Sequence, residues 1–127
     1  MKSELQIAIE NKDERLLIKA LNFTNSFKSE SFYLIENVLN ETWHSQHEDI
    51  INTIYLENLQ DDRFINPIIQ IALNRNVFRP FDDELESTLR KCVHALKTIN
   101  SKKANEALKL LLEMNNDNVK YALENYK

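Results

Sequence analysis

The stretch LRKCVHALKTINSKKANEALKLL, residues 89–111, decides the fold. Leu89, Cys92, Val93, Leu96 and Ile99 recur at spacings of three and four, which places them on one face of a helix. Extended upstream, the same stripe takes in Leu85. Ala104, Ala107, Leu108, Leu111 and Leu112 repeat the pattern. Between the two stripes lie Asn100 and Ser101. Asparagine tolerates the left-handed conformation that ends helices, and serine is a favoured N-cap. The segment therefore reads as a helix, a tight turn and a second helix.

The same reading carries outward. Asp82 or Asp83 supplies an N-cap for the helix of Leu89. After "NND", Val119, Ala122, Leu123 and Tyr126 make a short last helix. Upstream, Ile50, Ile51, Ile54, Tyr55 and Leu59 form one stripe. Ile65, Ile68, Ile69, Ala72 and Leu73 form another after "QDD", with Pro67 pushing the regular part of that helix downstream. Helices near 3–11, 13–23 and 30–40 complete the chain. Strand-like alternation never persists, so the fold class is all-α with about eight helices.

A shift of 40 residues overlays Leu56 on Leu96, Leu59 on Ile99, Ile68 on Leu108 and Ile71 on Leu111. A period near 40 with two helices per unit is the HEAT-type range. Such pairs cannot bury their stripes alone, so they stack. The expected architecture is a short right-handed α-solenoid of antiparallel helix pairs, forming one domain over 1–127. Residues 1–40 are divergent N-terminal helices, and 41–127 carry the recognisable repeats. An irregular helical bundle is the competing architecture.

Composition narrows the chemistry. Glycine is absent, proline occurs twice and asparagine 16 times in 127 residues. Phosphate-cradling loops and dinucleotide fingerprints need glycine, so both are excluded. The N-terminus lacks the apolar region of a signal peptide, and no apolar run reaches membrane-spanning length. Cys92 is the only cysteine, which rules out an internal disulfide and fits a reducing cytoplasm.

"ETWHSQHEDI", residues 41–50, is crowded with polar side chains. A metal reading would use His44, His47 and Glu48, but the string is not HExxH, and a third histidine, His94, stands beside Arg90 and Lys97. Ser45 and Glu48 instead form a capping box, Glu48 and Asp49 suit a helix dipole, and Trp43 packs on the following helix. His44 and His47 are left to bond a neighbouring repeat or a partner. Cys92 lies in an apolar stripe, two residues from His94 and hence on another face, so it is no nucleophile. Neither a catalytic centre, a cofactor nor a metal is expected, and the chain reads as a non-enzyme. Phe23, Phe27, Phe32, Tyr33, Phe64, Phe78 and Phe81 are read as core aromatics. One loop, "NVFRPF" (76–81), has Arg79 and Pro80 at its tip and the potential to touch a partner through Arg79 and Phe81.

Charge is uneven. Residues 41–89 carry ten acidic and three basic groups, whereas 90–127 carry four acidic and eight basic. An acidic middle disfavours nucleic acid as a direct ligand and suits a basic protein. Glu48, Asp49, Glu57, Asp61 and Asp62, then Asp82, Asp83 and Glu86, are the candidate docking carboxylates, since caps at successive repeats line up on one ridge.

"WHSQHEDI" (43–50), "LQDDRFINPIIQIAL" (59–73) and the 89–111 stretch together resemble small bacterial HEAT-like repeat proteins. Their pattern is a Trp-His-x-x-His-Glu-Asp start, an Asp-x-Arg turn and an Arg-Lys-Cys-x-x-Ala-Leu helix, over roughly residues 41–125. Asn100 stands where that family has glycine, and the first 40 residues lie outside the resemblance. Several members are immunity proteins of polymorphic toxin systems. The resemblance implies binding to a cognate toxin, often a basic nuclease, in the cytoplasm, with a monomer favoured. A HEAT-like adaptor with an unrelated protein partner is the alternative.

Overall fold

The computed structural model describes residues 2–22 and 27–126, and the described residues contain helices and no strand. The chain falls into two compact units, Met1–Gln46 and His47–Lys127.

In the first unit, α1 (Glu4–Asn11) and α2 (Glu14–Leu21) form a hairpin, and α3 (Phe32–Asn40) packs on α1. Ser3 accepts from the Gln6 N–H and Asp13 from the Leu16 N–H, so each of the first two helices opens on a side-chain cap. Leu5, Ala8, Leu17, Ala20, Leu34, Ile35, Val38 and Leu39 fill the interior. Phe23 lies outside the described residues, while Tyr33, expected in the core, is 56% exposed.

The second unit comprises α4 (His47–Leu56), α5 (Ile65–Leu73), the one-turn α6 (Arg75–Phe78), α7 (Ser87–Ile99), α8 (Lys102–Leu112) and α9 (Asp117–Glu124). The fully buried stripe of α7 (Leu89, Cys92, Val93, Leu96) is its centre, covered by α4, α5, α8 and α9. The 40-residue shift carries the start of α4 onto the start of α7. These two helices pack side by side, and so do α5 and α8.

The 89–111 stretch folds as its spacing predicts. Asn100 closes α7 in the left-handed region at φ 51°, and Ser101 caps α8 by accepting the Ala104 N–H. Three of the five positive-φ residues among those described are asparagines: Asn58, Asn100 and Asn115. Pro67 does not displace α5, which starts at Ile65. It occupies the first turn, where a missing N–H removes no helical bond. Ile71, rather than Leu73, completes the buried stripe of α5.

Candidate functional site

The 74–86 segment buries its arginine and exposes its aromatic ring. Arg79 is 3% exposed, whereas Phe81 is 87% exposed. Arg79 lies inside because α5 ends above it with unpaired carbonyls. Its Nε donates to Ile71 O at 3.0 Å and its Nη2 to Ala72 O at 2.8 Å. A cation at a helix C-terminus satisfies both the acceptors and the dipole. Nη1 then donates to Asp82 Oδ2 at 3.1 Å and lies 3.5 Å from Glu86 Oε1. Arg75 donates to the same Glu86 oxygen at 2.7 Å.

The anions of this cluster tie down two more helices. Asp82 Oδ1 accepts the Thr88 hydroxyl at 2.7 Å and the Thr88 N–H at 3.3 Å, so it caps α7 from six positions away. Glu86 Oε2 accepts from Asn116 Nδ2 at 2.6 Å and Asn118 Nδ2 at 3.1 Å, at the start of α9. Arg90 completes the ring, donating from Nε and Nη2 to Asn118 Oδ1. Burial pushes the Glu86 carboxyl up, but the bonds from Asn116 and Asn118 and the charges of Arg79 and Arg75 outweigh it and leave it below its ordinary value.

Arg79, Asp82 and Glu86 are thereby withdrawn as contact residues: their side chains are buried and bonded within the chain. Leu85 is also corrected. It precedes α7 and is 59% exposed, because Glu86 turns left-handed at φ 43° and the helix begins only at Ser87. Asp83 accepts the Leu85 N–H and stays exposed.

The histidines are corrected too. His44 precedes α4 rather than sharing its face with His47. Its Nε2 donates to Val38 O at 2.7 Å and its Nδ1 accepts the Gln46 N–H at 2.9 Å. Those two partners fix a neutral tautomer, and burial pushes the His44 pKa down. His47 is buried with its ring edge-on to Phe78 at 5.2 Å. Both are interior side chains, so neither forms a docking surface. The reciprocal half of the capping box is absent. The Ser45 N–H and hydroxyl, with Gln46 Nε2, all donate to Glu14 Oε2, each at 2.9 Å. The Gln46 bond, then those from Ser45, lower the Glu14 pKa. Glu48 points instead to Ser87 and to Lys91, at 2.9 and 2.7 Å.

The acidic ridge divides in two. Glu48 meets Ser87 at the start of α7, Tyr55 stacks on His94, and Gln60 reaches Thr98 O, so α4 and α7 run in the same direction. Arg90 meets Asn118 and Tyr121, and His94 bonds Tyr126, so α9 runs that way as well. Glu48, Asp49, Asp83 and two residues the spacing argument passed over, Glu84 and Asp117, therefore gather where three helices begin. Glu57, Asp61 and Asp62 lie at the other end of α4, where Asp61 accepts the Arg63 N–H and pairs with its guanidinium. Nothing local in "DDELE" separates the inward Asp82 and Glu86 from the outward Asp83 and Glu84.

The opposite flank of α7 holds His94, whose Nδ1 lies 2.6 Å from Tyr126 Oη, between Tyr55 and Tyr126. Cys92 is fully buried, and burial pushes its thiol up to about 12, so it is inert as a nucleophile. Among the described residues no group of three or more His, Cys, Asp or Glu is placed to hold a metal ion. Among them, too, no helix is long and apolar enough to cross a membrane. No protein-family model, curated protein or solved structure matches the chain.

Proposed function

We propose that this chain is a cytoplasmic immunity-type protein that binds and neutralises a toxin with a basic surface, as the proteins it resembles do, on a HEAT-like helical stack. The observation that supports the reading is the acidic end of the second unit. Asp49, Asp83, Glu84 and Asp117 are all exposed there, and the cations of the adjoining loop, Arg75 and Arg79, are engaged by Glu86 and Asp82. Fields of opposite sign accelerate and orient association. Neutralising a toxin before it turns over calls for an affinity of about nanomolar or tighter.

Co-expression tests this. The product of the reading frame adjacent to the gene for this chain is induced alone and together with it. Growth arrest by the adjacent product, relieved by this chain and restored when Asp83 and Glu84 are both reversed to lysine, is the expected result. An adjacent product that is harmless, or arrest that this chain does not relieve, removes the immunity reading.

A further inference from the structure

We propose that Phe81 is the anchor of the protein interface, entering an apolar socket on the partner whose rim carries lysine or arginine. This rests on the binding reading above and specifies the partner's chemistry.

Phe81 is the most exposed large apolar side chain among the described residues, and Val77 of α6 and Leu85 of the same loop are each more than half exposed. A ring left in water forgoes the gain that burial brings. The backbone under it is fixed. The Asp82 N–H donates to Arg79 O at 3.1 Å, which makes residues 79–82 a β-turn with Pro80 and Phe81 at its two corners. Proline favours that first corner because its φ is already set. The two ends of the turn are clamped again by the Arg79–Asp82 ion pair, whose side chains are 2% and 4% exposed. Arg79 bonds in turn to α5 and Asp82 to α7, and Glu86 beside Arg79 bonds to the start of α9. The loop therefore has little freedom left to lose when a partner closes over it, and a large apolar side chain that is already ordered enters a socket at a low entropic cost.

The surroundings decide what fits. Outward charges on the loop beyond the turn, Asp83 and Glu84, are both negative, and the exposed Asp49 and Asp117 stand at the adjoining helix starts. The socket's rim is therefore cationic. Two copies of this chain meeting loop to loop would set like charges against each other, so a second copy is the poorer occupant.

The test uses the full chain and, as probe, the purified product of the adjacent reading frame, with rates measured at low and high salt. Phe81→Ser is expected to weaken binding by about 100-fold, mainly through faster dissociation at both salt concentrations. Phe81→Trp, which keeps an aromatic anchor, stays within a few-fold of wild type. The Asp83→Lys, Glu84→Lys double variant slows association and flattens its salt dependence. Thermal melts of both Phe81 variants should match wild type, because the ring has no interior contacts to lose. If wild type binds and Phe81→Ser binds as tightly, the anchor is overturned while the binding reading stands. If wild type fails to bind, both fall. A wild-type dimer that Phe81→Ser dissociates also overturns the proposal, since a second copy then occupies the ring.

Discussion

Glu14 and Glu86 do the same job in the two units, and they do it in different media. Each carboxylate closes a loop by accepting several hydrogen bonds: Glu14 from Ser45 and Gln46, Glu86 from Asn116 and Asn118. Glu14 is partly in water and has no ion pair among those bonds. Glu86 is buried and faces two guanidinium groups. In water a lost acceptor is replaced by solvent. In the interior the groups left behind have nothing to replace it, so breaking the cluster costs far more than its net contribution to stability.

The largest effect is expected at the buried cluster. Arg79→Met leaves Asp82 and Glu86 under-compensated and the last carbonyls of α5 unpaired, and should destabilise by about 3–5 kcal/mol in urea unfolding. Glu14→Gln keeps one acceptor and should lose about 1 kcal/mol by the same measurement. A loss from Arg79→Met no larger than that from Glu14→Gln would erase the contrast. Ser101→Ala, at the turn of α8, removes one cap bond and should cost about 0.5–1 kcal/mol. The smallest effect runs the other way. Lys12 ends α1 in the left-handed region at φ 50°, where a Cβ is strained, so Lys12→Gly should gain about 0.5 kcal/mol after the added freedom of the unfolded chain is counted.

Acid sharpens the comparison. Burial holds the His44 pKa below 6.5, so the unfolded chain binds the proton first and stability falls as pH drops below about 6.5. His94, lowered by burial and by Arg90, acts in the same direction. The lowered Glu14 pKa contributes stability that is fully present above the ordinary carboxyl value of 4.5 and is lost as pH falls through the folded value. Urea midpoints from pH 8 downward should therefore decline monotonically. Glu14→Gln should flatten the lower limb and leave the upper one unchanged.

Legibility in the sequence followed the range of the interaction. Ser101 and Asp61 were readable as caps because each accepts an N–H two or three residues away. Asn100 was readable because its conformation is a local preference. The Arg79 cluster was not, since its partners come from α5, α7 and α9, and the Glu86–Asn118 bond spans 32 residues. The apolar period also ran one turn too far, into Leu85, because Glu86 turns left-handed without the usual glycine signal. The pairing of surface carboxylates into one ridge failed for a geometric reason: a turn after α4 and a loop before α7 belong to opposite ends of helices that run the same way.

The seclusion of Cys92 has a practical corollary. As the lone sulfhydryl of the chain, it is sealed beneath the helices around α7, so a thiol-seeking dye leaves the native protein unlabelled until that core comes apart. Its labelling half-life, followed against temperature or urea, is thus a built-in stopwatch for the opening of the second unit.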